Sequence, residues 1–144
     1  MRAHIAIVED DDHLALMLHY NLTTRGFAIT RFKDGIEALA SLTSAPPDAV
    51  VLDWQLPRLS GIEVLRHLRA TPATAELPIL MLTGRTLPEE RVRAIALRVE
   101  AFITKPFSVS DVLDRLMRAL AGRGAQEPGP VMPSARREGG IGCG

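Results

Sequence analysis

Four short apolar runs in this chain each end in residues able to bind phosphate or metal, and helical periodicity fills the stretches between them. Ile5–Val8 leads into Glu9 and Asp10, Val50–Leu52 into Asp53, Ile79–Leu82 into Thr83, and Ala101–Thr104 into Lys105-Pro106. Short runs that are apolar throughout are what parallel strands look like when helices cover both faces of their sheet. In such a sheet the carboxyl ends of the strands gather on one edge, and open α/β folds bind ligands there. Three carboxylates, a hydroxyl and an ammonium would then share one small volume. The acids bring a charge of −3 and the lysine returns +1, so an empty site repels itself.

The order of elements reads as strand and helix alternating five times. The expected strands are His4–Val8, Ala28–Phe32, Ala49–Leu52, Ile79–Leu82 and Ala101–Thr104. Helix one spans about Asp12 to Arg25, with Leu14, Leu18 and Leu22 at helical spacing, Asp12 suited to the cap and Gly26 closing it. Helix two covers about Gly35 to Leu42, opened by Asp34 with Glu37 three residues on, and helix three follows the pair Ser60 and Glu63 as far as Ala70. Helix four starts near Pro88, with Thr86 as cap and Glu89 as its partner, and fades by Leu97. Helix five follows Ser108 and Asp111, and Val109, Val112, Leu113, Leu116 and Leu120 form its apolar stripe. This alternation predicts an α/β fold: right-handed crossovers, a five-stranded parallel sheet, and helices on both faces. Five strands in so short a chain suggest the order 2-1-3-4-5, which puts the most apolar strands in the middle.

Bulk properties narrow the function. At 144 residues the chain is one domain with a tail, and 47% hydrophobic content supports a real core. Lys and Arg together number 17, as do Asp and Glu, which argues against a basic nucleic-acid footprint over the whole chain. The single cysteine, Cys143, excludes an internal disulfide and fits a reducing compartment. No apolar run approaches ~18 residues, so no membrane span is expected, and no basic segment leads into a long apolar stretch as in a secretory signal. Residues 123–144 hold six Gly and three Pro and only Val131, Met132 and Ile141 as large apolar side chains. That is too little burial to offset chain entropy, so residues 1–122 are expected to fold and 123–144 to form a disordered tail.

Each candidate residue also has a plain structural explanation. Alone, Asp53 is more commonly a turn or cap aspartate than a phosphoryl acceptor. Glu9-Asp10-Asp11-Asp12 could be an acidic first turn favouring the helix dipole, but four consecutive acids repel unless a cation intervenes. Mg²⁺ takes oxygen ligands and keeps waters, so Glu9, Asp10 and Asp53 with the backbone carbonyl of Gln55 would suffice. Thr83, followed by the small Gly84, is a strand-end threonine or a hydroxyl donor to a phosphoryl oxygen. Lys105 is a solvated lysine or a point charge between Asp53 and a phosphoryl group; a cis bond to Pro106 would fit a tight functional turn. Phe102 is a core ring or the group that fills the space Thr83 leaves on moving. Trp54 is adjacent to the acceptor and offers a fluorescence reporter.

Taken together, Ile7-Val-Glu-Asp10, Leu52-Asp-Trp-Gln-Leu-Pro57, Thr83 and Ile103-Thr-Lys-Pro-Phe107 closely resemble the receiver domain of two-component response regulators. They look most like the OmpR/PhoB branch, over about residues 3–121. The resemblance implies the flavodoxin-like receiver fold, whose strand order is 2-1-3-4-5. It implies Asp53 as phosphoacceptor, served by a sensor histidine kinase or phosphotransferase, and Glu9, Asp10, Asp53 and the Gln55 carbonyl around Mg²⁺. It implies Thr83 and Lys105 as phosphoryl contacts and Thr83 with Phe102 as the switch pair. Phosphorylation would shift a surface equilibrium on the face made by helix 4, strand 5 and helix 5, to be read by a downstream protein. The expected protein is cytoplasmic, with no membrane contact and no direct nucleic-acid binding. Its chemistry is expected to be limited to its own phosphotransfer and slow dephosphorylation, and no output domain is expected.

The chain departs from the family pattern where a Gly-Ala-Asp-Asp/Glu-type segment usually precedes strand five. Here that segment reads Arg98-Val-Glu-Ala101. A bulky residue in place of the glycine costs energy wherever positive φ is needed. An alanine in place of an acid removes an ion-pair partner on the face relatives use to dimerise, so a monomer or weak dimer is expected. Two other readings compete: a Mg²⁺-dependent phosphohydrolase with an Asp nucleophile, and a degenerate receiver used only for docking. The first wants a second acid near its nucleophile, where the chain has Trp54 and Gln55. The complete set of five site residues speaks against the second.

Overall fold

The strand runs are apolar on both faces because both faces are covered. A computed structural model of the chain describes residues 2–84 and 87–124, together with 137–138 and 140–141. The strands are β1 (His4–Val8), β2 (Ala28–Phe32), β3 (Ala49–Asp53), β4 (Ile79–Thr83) and β5 (Ala101–Thr104). Between and after them lie α1 (Asp12–Thr23), α2 (Gly35–Ser44), α3 (Gly61–Ala70), α4 (Pro88–Ala96) and α5 (Val109–Gly124). All neighbouring strands pair in parallel, in the order β2-β1-β3-β4-β5.

Alternate residues of each strand enter separate cores, as the two-residue period of a strand requires. Ala6, Val8, Val50, Leu52, Ile79 and Met81 pack with α2, α3 and α4 through Ala38, Leu42, Val64, Leu65, Leu68 and Ala94. Ile5, Ile7, Val51, Leu80, Leu82 and Ile103 pack with α1 and α5 through Leu18, Leu22, Val112, Leu113 and Leu116. Every residue of β3 and β4 is buried, whereas β2, at one edge, is mostly half-exposed. Leu18, Leu22, Leu65 and Leu68 are fully buried, and truncating any one to alanine should cost roughly 2–5 kcal/mol.

Helix starts follow local hydrogen-bond chemistry, with two corrections. Asp34 accepts from the Glu37 N–H and Ser60 from the Glu63 N–H, as their spacing predicts. The cap of α1 is Asp11 rather than Asp12: its carboxylate accepts from the N–H groups of His13 and Leu14. Asp12 is drawn away by cations on β2, reaching Arg31 at 3.0 Å and Lys33 at 3.6 Å. At α4 the partner is Glu90 rather than Glu89. Leu87 precedes the helix, and its N–H donates to the Glu90 carboxylate at 2.9 Å. Proline at the first helical position needs no N–H partner, so the register starts one residue later than a Thr86 cap would set it. Thr86 itself lies outside the described residues.

Arg98 adopts φ +60°, the left-handed region where a side chain costs energy that a glycine would not. Arg69, on α3, offsets that strain. Its guanidinium donates to the carbonyls of Leu97 and Arg98 and to those of Thr74 and Ala75, bolting the end of α4 to the end of α3. The tail expected over 123–144 falls mostly outside the described residues. Within that span α5 continues to Gly124, and β6 (Arg137–Glu138) pairs with β7 (Gly140–Ile141) as a separate ladder.

Candidate phosphoacceptor site

The residues singled out in sequence sit at the last rungs of the sheet ladders. The Glu9 N–H donates to the Phe32 carbonyl, the Trp54 N–H to Leu82, and the Lys105 N–H to Thr83. Residues far apart in the chain are thereby fixed along one edge. Gly61 lets α3 start against that edge: a Cβ there would lie 2.2 Å from the Asp53 carbonyl oxygen, so only glycine fits. The Lys105-Pro106 bond is cis.

Asp53 is 4% exposed and Glu9 1% exposed. Lys105 reaches between them, its Nζ 3.0 Å from Asp53 Oδ1 and 3.2 Å from Glu9 Oε1. Asp10 is exposed, yet it, Glu9 and Asp53 each offer a carboxylate oxygen within 4.8 Å of the other two. Glu9 Oε2 accepts the Asp11 N–H at 3.1 Å. Burial above all, then the charge of Asp53, raises the pKa of Glu9 from 4.5 to about 7, with the Asp11 N–H and Lys105 opposing. Burial alone would lower the pKa of Lys105, but its hydrogen bond to Asp53, the charge of Asp53 and then Glu9 together raise it, so it remains an ammonium. One lysine faces two buried carboxylates, and the cluster is short of positive charge.

Two buried side-chain oxygens among the described residues lack a hydrogen-bond partner, and both lie on this edge: Glu9 Oε1 and Thr83 Oγ1. Glu9 Oε1 faces the lysine at ion-pair distance but without hydrogen-bonding geometry. Buried polar atoms are nearly always satisfied in folded proteins, so an orphaned pair at one edge marks where an incoming group makes its bonds. An oxygen-only, net-negative donor set suits a hard divalent cation such as Mg²⁺. A Cβ at Gly84, next to Thr83, would meet nothing within 4 Å among the described residues.

Of the other sequence candidates, Gln55 lies on the exposed connection after β3, two residues past Asp53. Phe102 is half-buried against the α2–α3–α4 core, with the Arg91 guanidinium 4.7 Å above its ring. Trp54 is buried in the same core, directly after Asp53. Sequence reasoning missed Arg31. On β2 it donates from Nε and Nη2 to the Glu9 carbonyl, at 2.9 and 2.7 Å. The available signal was a cation two residues after Ile29, on the same face of a strand that must neighbour the acidic run.

The chain matches the response regulator receiver domain family over residues 5–117, and it belongs to that family, the phosphoacceptor domains of two-component systems. It is 42% identical over 120 residues to the phosphate regulon transcriptional regulatory protein PhoB of Rhizobium meliloti, covering 83% of this chain and 53% of PhoB. The chemotaxis protein CheY4 of Vibrio cholerae superposes with a TM-score of 0.77 at 30% identity, over 83% of this chain and all of CheY4. The receiver domain of the sensor histidine kinase PA1611 of Pseudomonas aeruginosa has a TM-score of 0.76 at 27% identity, covering 84% of this chain and 99% of that one. That structure has a magnesium ion coordinated in its active-site cleft. The chain spans about half the length of the curated relatives it matches. The family assignment does not favour the phosphohydrolase or docking readings. Receiver domains bind Mg²⁺ at an acidic pocket and interact with histidine kinases or phosphotransferases. No helix among the described residues is long and apolar enough to cross a membrane.

Proposed function

We propose that Asp53 accepts the phosphoryl group, with Glu9, Asp10, Asp53 and the Gln55 carbonyl holding Mg²⁺ beside it. The observation that carries this is a buried aspartate gripped by Lys105 next to two further acids, with an unpartnered Thr83 hydroxyl on the same edge. The Asp53 carboxylate attacks phosphorus in a phosphohistidine donor. A P–O bond forms, the P–N bond breaks, and the freed imidazole keeps the electron pair and takes up a proton. Bound Mg²⁺ supplies positive charge that offsets the acids and the incoming phosphoryl oxygens. Lys105 pairs with a phosphoryl oxygen, and the Thr83 hydroxyl donates to another. Water later cleaves the acyl phosphate slowly, returning the carboxylate and inorganic phosphate.

The α4–β5–α5 face is the switching surface in this reading. Thr83 closes β4 just ahead of α4, and α4 and its cap residue expose Val92, Ile95 and Leu87. Movement of Thr83 toward the phosphoryl group frees space for the Phe102 ring, and the altered face meets a downstream protein target. The protein works in the cytoplasm as a monomer or weak dimer, without binding nucleic acid through this chain. Incubation with a small phosphodonor and Mg²⁺ should add one phosphate by intact mass, lost in Asp53→Asn. An unchanged mass in the native chain overturns the assignment.

A further inference from the structure

Beside the site, and outside its set of phosphoryl and metal contacts, one cation grips the chain that carries two of the acids. Arg31 is largely buried, and its Nε and Nη2 both donate to the carbonyl oxygen of Glu9, at 2.9 and 2.7 Å. Nη2 also lies 3.0 Å from Asp12 Oδ1, on the first residue of α1. The Glu9 N–H makes the last β1–β2 rung, to Phe32. β2 ends there, and the Glu9 carbonyl takes the guanidinium as its partner in place of a further backbone donor. One side chain thus spans the whole acidic connection between β1 and α1, from the residue where the strand ends to the residue where the helix begins.

We infer that Arg31 is a positioning residue for the cation site: its fork sets the peptide of Glu9 so that the carboxylates of residues 9 and 10 are presented to Asp53. The inference deepens the assignment above and rests on it. Two physical effects of Arg31 have opposite signs, which makes it testable. As a plain positive charge near the acids, Arg31 repels an incoming cation, so its removal should tighten Mg²⁺ binding. As a geometric support, its removal lets the acidic residues swing apart, so binding should weaken. Groups that orient metal ligands typically contribute 10–100-fold in affinity, and Arg31 is close enough to the ligand backbone for that effect to win. A lysine keeps the charge but lacks the rigid paired donors.

The test is Mg²⁺ titration of the full chain, followed by Trp54 fluorescence and by calorimetry. Metal-free melting curves establish that each variant is folded. Arg31→Met should bind Mg²⁺ at least about tenfold more weakly than the native chain. Arg31→Lys should remain weakened, and it stands in if the methionine variant does not fold. Lys33→Met removes an exposed cation whose ion pair among the described residues is with Asp12, at 3.6 Å, and should leave the affinity unchanged. Asp53 should still take up phosphate in the Arg31 variants at saturating Mg²⁺. Equal or tighter Mg²⁺ binding in Arg31→Met overturns the inference, as does full native affinity in Arg31→Lys. If the native chain neither binds Mg²⁺ nor takes up phosphate, the assignment itself has failed. If it does both and the Arg31 variants match it, only the role of Arg31 has failed.

Discussion

Glu9 and Thr83 occupy the same edge of the sheet, yet both carboxylate oxygens of Glu9 meet a partner, one a hydrogen bond and one an ion pair, while the Thr83 hydroxyl meets none. Glu9 is held at its N–H by Phe32, at its carbonyl by Arg31, and at its carboxylate by the Asp11 N–H and the Lys105 ammonium. Thr83 is held only through its backbone, its carbonyl accepting from Lys105, and its buried hydroxyl has no partner. The acidic side is therefore built before any ligand arrives, whereas the hydroxyl side keeps an unmet bond. An unmet bond on one side is how binding can shift an equilibrium: the ligand supplies a partner that only the responding conformation can use.

This contrast can be broken by experiment, the largest effect first. Lys105→Met leaves Glu9 and Asp53 buried without their shared cation. The metal-free protein should lose about 1–3 kcal/mol, read by denaturant unfolding. No loss would show that the lysine does not hold the acidic side together. The pH dependence follows from Glu9. Its folded pKa, about 7, lies above the ordinary 4.5, so the proton is held more tightly in the folded state. Its contribution to stability is complete below pH 4.5 and is lost as pH rises through 7. In EDTA, native-chain stability should fall relative to Glu9→Gln across that window, and Mg²⁺ should flatten the difference. A flat difference without metal would remove the charge argument.

The hydroxyl side predicts the opposite sign. Thr83→Val replaces an unsatisfied buried hydroxyl with a methyl of similar shape. Metal-free stability should hold or rise by up to about 1 kcal/mol, while the response to phosphorylation weakens. A clear loss of stability would mean that the hydroxyl has a partner after all. Smallest of all, Asp10→Asn relieves repulsion at an exposed position. It should stabilise the metal-free chain by a few tenths of a kcal/mol and reduce the melting-temperature rise that Mg²⁺ gives the native chain.

Much of this was legible in the chain, for particular reasons. β1, β3 and β4 are apolar on both faces and alternate with helical stretches, a pattern that a covered parallel sheet explains, and such sheets expose their carboxyl ends. Asp53, Thr83 and Lys105 were found because each directly follows an apolar run. The caps of α2 and α3 were legible because an Asp or Ser three residues before a Glu acts over one helical turn. The cap of α1 was not. With four acids in a row, spacing alone does not say which one caps, and here Asp11 caps while Asp12 turns to Arg31 and Lys33, about twenty residues away. α4 starts at Pro88 as expected, but its cap pair slipped by one residue for a local reason, because proline at the first helical position set the register through Glu90.

The sequence by itself determined the periodicities and the residue types at the strand ends, since these depend on neighbours a few positions apart, whereas the expected strand order leaned partly on the family resemblance. Only the tertiary structure decided which charges meet. It put Lys105 between Glu9 and Asp53, left the Thr83 hydroxyl alone, and closed Arg31 over the carbonyl of Glu9. Such pairings depend on the packing of distant segments to within an ångström, because charge interactions and hydrogen bonds fade over distances that no one-dimensional spacing records.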